Sequence, residues 1–275
     1  MINKIIIKKN IEMSLLEDVG SGDITAELID REKISHAVII SREQAMICGQ
    51  NWFHEVFFQI DPEIKIHWLI QEGERVVENQ KIVELVGNAR HLLTGERTAL
   101  NWLQSLSGTA TIVAKYVAAL KGTPVKLLDT RKTIPGLRAA QKYAVKIGGG
   151  ENHRMGLYDA FLIKENHIAS CGSISKAVLR ARAIHPEKPI EVEVENFIEL
   201  QEALNAKVNM IMLDNFNVDD MKKAVAIVNQ KSKIEVSGNV DLNNIRKIAE
   251  TGIDFISVGS LTKHLRAIDL SMRLH

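Results

Sequence analysis

Residues 208–237 read VNMIMLDNFNVDDMKKAVAIVNQKSKIEVS. An apolar run ending at Asp214-Asn215 is followed by a stretch of helical periodicity over 218–230, and then by a second apolar run ending at Ser237. Short apolar runs that alternate with amphipathic helices are the mark of βα units, in which helices cover strands buried on both faces. The rhythm extends both ways. VKLLDT (125–130), AFLIK (160–164) and IEVEV (190–194) precede, and DFISV (254–258) follows, so with VNMIML (208–213) and KIEVS (233–237) there are six strand candidates. SISKAVLRARAI, FIELQEALNA and DLNNIRKIAETG supply further helical stretches between them. The predicted fold class of this half is α/β with a parallel sheet, either closed as a barrel or open and doubly wound.

The first half lacks this rhythm. LLEDVGSGDIT reads as a helix end and turn, and HAVIISREQAMICG and WLIQEGERVVENQKIVELVG read as extended segments punctuated by Gly49, Gly73 and Gly87. A long helical run, TGERTALNWLQSLSGTATIVAKYVAALKG, leads into the second half. A boundary inside it divides the chain into domains 1–108 and 109–275, with the last residues free to pack back on the first domain.

Composition excludes several classes. With 35 Lys+Arg against 34 Asp+Glu, the formal net charge is +1, and aromatics make up 5%. A protein that coats nucleic acid needs spread basic charge or stacking platforms, and neither is present. No apolar run reaches the roughly 20 residues of a membrane helix. The start, MINKIIIKKN, lacks a signal-peptide core, and Cys48 and Cys171 form neither a disulfide framework nor a metal-ligand spacing. A soluble cytoplasmic protein is expected.

Against that neutral balance, residues 131–164 concentrate Arg131, Lys132, Arg138, Lys142, Lys146, Arg154 and Lys164 against only Glu151 and Asp159. Fixed positive charge at this density suits a small, multiply anionic ligand, arginine by bidentate pairing and lysine as a movable point charge. A solvated basic helix face is the competing explanation. Position relative to the strands favours the pocket, because parallel α/β folds build sites at the carboxyl ends of strands. Every predicted strand ends in a polar or glycine-bearing motif: Asp129-Thr130-Arg131-Lys132, Lys164-Glu165-Asn166-His167, the alternating Glu191, Glu193 and Glu195, Asp214-Asn215, Ser237-Gly238-Asn239, and Gly259-Ser260. A charged residue on a buried strand is costly unless paired, so Glu193 calls for a purpose. Ser-Gly-Asn and Gly-Ser ahead of helices expose amides suited to phosphate. Glu193 and Asp214 could hold Mg²⁺ through waters or face a developing positive charge.

GERTALNWLQSLSGTAT, DTRKTIPGLRAAQKYAV, GGGENHRMGLYDAFLIKENH, EVEVEN, MLDN, VSGN and SVGSLTKH resemble, in order and spacing, the quinolinate phosphoribosyltransferase family over essentially the whole chain. The resemblance implies an amino-terminal α/β sandwich domain followed by a parallel α/β barrel, assembled as a dimer or larger. It implies transfer of phosphoribose from 5-phosphoribosyl-1-pyrophosphate to quinolinate with Mg²⁺ and no organic cofactor, releasing pyrophosphate and CO₂ and giving nicotinate mononucleotide for NAD synthesis. Carried across by motif, Thr130, Arg131, Lys132, His153, Arg154 and Lys164 hold the substrates, and Arg97 reaches into a neighbouring subunit's site. Lys164, Glu193 and Asp214 are the catalytic candidates, and Ser237, Gly238, Asn239, Val258, Gly259 and Ser260 the phosphate-binding ones. The competing readings are a molybdenum-associated paralogue of similar fold and a non-catalytic phosphosugar- or carboxylate-binding module. Lys164 counts against the first, and the acidic pair beside so many cations counts against the second.

Overall fold

A computed structural model describes residues 3–275. Along the chain come α1 (Lys4–Asp18), β1 (Ile34–Ser41), β2 (Ala45–Met46), α2 (Gln50–Ile60), β3 (Lys65–Trp68), β4 (Arg75–Val76), β5 (Lys81–Asn88) and the 31-residue α3 (Ala89–Ala119). Then follow β6 (Lys126–Leu128), α4 (Arg138–Ile147), β7 (Phe161–Ile163), α5 (Glu165–Cys171), α6 (Ile174–Ile184), β8 (Ile190–Val194), α7 (Phe197–Asn205), β9 (Met210–Asp214), α8 (Val218–Val228), β10 (Lys233–Ser237), α9 (Ile245–Ala249), β11 (Phe255–Ser257), α10 (Ser260–Lys263) and β12 (Leu270–Leu274). Two compact units emerge, one of Met1–Ala114, Ile134–Gly149 and Leu261–His275, the other of Lys115–Thr133 and Gly150–Ser260. Each unit draws on separate stretches of the chain.

The first unit is built on an antiparallel sheet of order β12-β1-β5-β3, in which the carboxyl-terminal β12 pairs with β1 from Ala37 opposite Leu274 to Ser41 opposite Leu270. β1 alternates exposed and buried positions, as a sheet with one covered face requires. Helix α2 was not legible as a helix. Its buried face, Trp52, Phe53, Val56 and Phe57, is aromatic and β-branched, a composition that reads equally well as strand. What starts it is distant in sequence: the Glu72 carboxylate accepts the Gly49 and Gln50 amides at 2.8 and 3.1 Å, taking up donors that no helical carbonyl can reach. Trp52 then stacks on Trp102 of α3, with ring centroids 5.9 Å apart.

The second unit holds a six-stranded parallel sheet of order β6-β11-β10-β9-β8-β7. Its last strand, β11, lies beside its first, β6, which is the wrap of a barrel rather than of a doubly wound sheet. On the other side of β6, Leu128 bridges to Glu151, so the segment entering the 152–154 loop is held as part of the wall. The α/β class and an amino-terminal domain followed by a parallel barrel are therefore as expected, with every predicted barrel strand present. Helix α9 begins only at Ile245, six residues beyond Asn239, and α10 has four residues.

Candidate active site

Because side chains alternate along a strand, every second residue of the barrel strands points inward. Leu162 and Lys164 on β7 and its end, Glu193 on β8, Met212 on β9, Glu235 and Ser237 on β10 and Ser257 on β11 all line one cavity of about 320 Å³. Register aligns them: Glu193 lies opposite Met212, and Met212 opposite Glu235. Thr130, Arg131 and Lys132 after β6, with His153 and Arg154 from the adjoining loop, complete the lining. One pocket thus receives side chains from all six parallel strands or the loops that follow them.

Asp129, fully buried at the end of β6, fixes the loop. Its two oxygens accept the His153 amide at 2.9 Å and the Asn152 side-chain amide at 2.6 Å. Asp159 closes the next turn by accepting the amides of Met155 and Gly156. Arg154 Nη1 donates to the Ala160 carbonyl at 3.2 Å, and burial, then the adjacent Arg131 charge, lower the pKa of its guanidinium. Two arginines held this close repel each other, an arrangement that favours an anion between them. Lys164 donates through Nζ to Glu193 Oε2, so the free pocket pairs an expected cation with an expected carboxylate.

Below this rim lie two further acids. His153 Nε2 is 2.8 Å from Glu191 Oε2 and 3.4 Å from Glu235 Oε2. Burial, with the neighbouring Glu235 adding to it against the His153 hydrogen bond, pushes the Glu191 carboxyl up to about 7. Burial disfavours a charged His153 ring, but the two carboxylates more than offset it and raise its pKa.

Of the residues expected at the site, Thr130, Arg131, Lys132, His153, Arg154, Lys164, Glu193 and Ser237 line the cavity. Asp214 does not, but it is the register partner of Ser237, and its Oδ2 accepts the Asn215 side-chain amide at 3.0 Å. Gly238 has φ +91°, and a Cβ there would lie 3.2 Å from Asp214 Oδ1, so the VSGN turn needs glycine both for its backbone and for room. A Cβ on Gly259 would meet the Lys132 stem at 2.9 Å, which places that loop against Lys132. Three expectations change. The Val258 amide donates to the Leu128 carbonyl at 3.0 Å and is spent within the sheet, leaving no donor there for phosphate. Asn239, at φ +51°, lies in a turn six residues ahead of α9 and so does not open a helix, whereas Ser260 opens the short α10 as expected. Arg138, Lys142 and Lys146 sit on α4 in the other unit and do not line the cavity. Arg97 is an exposed residue of α3 and does not line the cavity.

Glu235 and Ser257 were missed. The signal for Glu235 was available: KIEVS places an acid in the middle of a buried parallel strand, as IEVEV does, and the cost that singled out Glu193 applies equally. For Ser257 nothing in DFISV distinguishes an inward serine from a strand-end turn.

Comparison with known proteins meets this geometry. Residues 23–107 match the model of the quinolinate phosphoribosyl transferase N-terminal domain, and 109–273 that of the C-terminal domain. A probable carboxylating nicotinate-nucleotide pyrophosphorylase of Synechocystis is 41% identical over 274 residues, 98% of this chain and 93% of the relative. One from Bacillus subtilis is 39% identical over 272 residues, 98% of this chain and 94% of the relative. The solved nicotinate-nucleotide pyrophosphorylase of Francisella tularensis superposes with a TM-score of 0.98 at 50% identity, covering 100% of this chain and 98% of that one. With both family domains matched in order and a relative this similar over nearly its full length, the chain belongs to the quinolinate phosphoribosyl transferase family.

Proposed function

We propose that this cavity binds quinolinate and 5-phosphoribosyl-1-pyrophosphate together and carries out the family's reaction, giving nicotinate mononucleotide, pyrophosphate and CO₂. The observation that carries this reading is the pairing of Arg131, Arg154 and Lys164 with Glu193 around one pocket. The cations suit a pyridine bearing two adjacent carboxylates, and a substrate bearing a phosphate and a pyrophosphate. Holding both substrates in line supplies much of the rate. As the bond from ribose C1 to pyrophosphate breaks, C1 becomes cationic, and Glu193 and Asp214 stabilise that charge while the basic residues stabilise the departing anion. The pyridine nitrogen donates its pair to C1 and becomes cationic. The adjacent carboxylate then leaves as CO₂, its bonding pair remains on the ring carbon beside that nitrogen, and a proton replaces it.

Lys164 faces two partners in turn. In the free pocket it holds Glu193; a quinolinate carboxylate offers it a second anion and releases Glu193 toward the ribose. Glu193 and Asp214 present carboxylate oxygens, the hard donors that Mg²⁺ takes, and both have an oxygen not committed to Lys164 or Asn215. Mg²⁺ bound there would neutralise charge on the pyrophosphate. The reading also includes a homodimer or larger assembly in which Arg97 serves the partner's pocket, and a cytoplasmic location. No helix among the described residues is long and apolar enough to cross a membrane. A coupled assay for nicotinate mononucleotide from quinolinate tests the reaction; no product from either quinolinate or nicotinate would leave a binding module as the better reading.

A further inference from the structure

The acids beneath the pocket pose a problem of charge. Glu191 is 5% and Glu235 0% exposed, and one ligand-type atom from each of these and from His153 lie within 4.8 Å of one another. No donor among the described residues makes a hydrogen bond to Glu191 Oε1 or to either oxygen of Glu235. Two dry, ionised carboxylates side by side, with lone pairs unused, are among the most costly arrangements a protein can bury. Something must sit between them, either a cation or a proton.

The histidine decides. The Arg154 amide donates to His153 Nδ1 at 2.8 Å, so that nitrogen uses its lone pair and carries no proton. The ring proton is then on Nε2, facing the carboxylates, and no ring lone pair is left there for a metal. One imidazolium with two carboxylates holds as many protons as one neutral imidazole, one carboxyl and one carboxylate. The Arg154 amide selects the second arrangement.

We propose that Glu191 and Glu235 share a single proton, and that this carboxyl–carboxylate pair positions the His153 ring beneath the arginine side of the pocket. The shared proton turns one acceptor into a donor, O–H···O⁻, and so gives a partner to two of the three unused oxygens. It leaves the triad with one negative charge rather than two. The charged groups around it are Arg154 and Arg131 on the loops, Asp129 behind His153, and the Lys164–Glu193 pair at the rim. A single buried negative charge balances the close arginines without cancelling their pull on an incoming dianion. Glu191 and Glu235 act through His153 and are positioning residues. The existence of the proton rests on the geometry alone, and only its effect on quinolinate binding rests on the proposed function.

Infrared spectroscopy on the ligand-free full chain at neutral pH tests it. The carbonyl stretch of a protonated carboxyl is expected, shifted in D₂O and by ¹³C labelling of glutamate carboxyls. It should vanish in both Glu191→Gln and Glu235→Gln, where the amide donates in place of the acid. No such band in the native protein, a band unmoved by the label, or a band surviving in both variants overturns the proposal; the first two need no variant to fold. Each Gln variant keeps one negative charge, so calorimetric quinolinate affinity should stay within about threefold of native, while Glu191→Ala, which takes away the partner of His153 Nε2, should lose about tenfold or more. Tightening by about tenfold or more in both Gln variants would mean that both acids were ionised and would likewise overturn it. A failure of the proposed function is distinguishable: native protein would then not bind quinolinate, with the infrared result unaffected.

Discussion

Two regions of this molecule draw glutamate away from solvent, Glu72 partly and Glu191 and Glu235 fully, for opposite ends. In the antiparallel unit, Glu72 accepts the Gly49 and Gln50 amides and the Tyr143 hydroxyl at 3.0 Å, and its charge lies at the positive end of α2. Every partner it has belongs to the scaffold. In the barrel, Glu193 holds only a lysine that itself faces the pocket, and Glu191 and Glu235 keep oxygens with no donor. A buried acid with its bonds satisfied by backbone stabilises a fold, whereas one left with spare bonding capacity beside a cavity is available to a ligand or to a proton. The same residue type therefore separates scaffold from site once its partners are known.

That contrast breaks most directly at Glu193. Glu193→Gln should lower kcat by about two to three orders of magnitude, the scale of losing one preorganised electrostatic contact. Because Lys164 loses its ion pair, quinolinate should bind as well as or better than to the native enzyme, rather than more weakly. Unchanged single-turnover rates in folded protein would remove Glu193 from the chemistry.

A change of pH probes the acids beneath. Glu191 has a folded pKa of about 7 against an ordinary value of 4.5, so the native state holds more protons than the unfolded chain between these values. Its contribution to stability is therefore fully present below about pH 4.5 and declines as pH rises through 7, by up to ~3 kcal/mol. Urea unfolding of native and Glu191→Gln proteins at pH 5 and pH 8 should show the native enzyme losing more; parallel losses would mean the acid is ionised throughout.

On the scaffold side, Glu72→Ala removes acceptors from two helix amides and a tyrosine. A loss of about 2 kcal/mol in unfolding free energy is expected, with kcat per folded molecule unchanged. A fall in kcat without loss of stability would erase the contrast between the two regions.

The smallest expected effect sharpens the boundary between them. Gly238→Ala puts a Cβ in a left-handed turn and close to Asp214 Oδ1, costing about 1 kcal/mol of stability. Its effect should fall on KM for the phosphoribosyl substrate more than on quinolinate affinity, measured by calorimetry and initial rates.

Local pattern alone settled the barrel strands, because a βα unit writes a short apolar run and then a helical period of 3.6 directly into the sequence. Strand-end motifs likewise named half of the cavity lining, since in a parallel sheet the carboxyl ends all face one way. The sequence could not place the charges of α4. Arg138 and Lys142 are as basic and as near in sequence to Arg131 as Arg154 is, yet the chain leaves the barrel for the other unit at Ile134 and returns only at Gly150. Nor could it start α2, whose first amides depend on Glu72, more than twenty residues on. Spacing showed that Glu191 and Glu193 share a face of one strand, but that Glu191 meets Glu235 and His153 depends on three separate segments converging inside the parallel sheet. Local pattern fixes which way a side chain points along its own strand; which charge it meets, and hence which proton it keeps, is set only when the strands assemble.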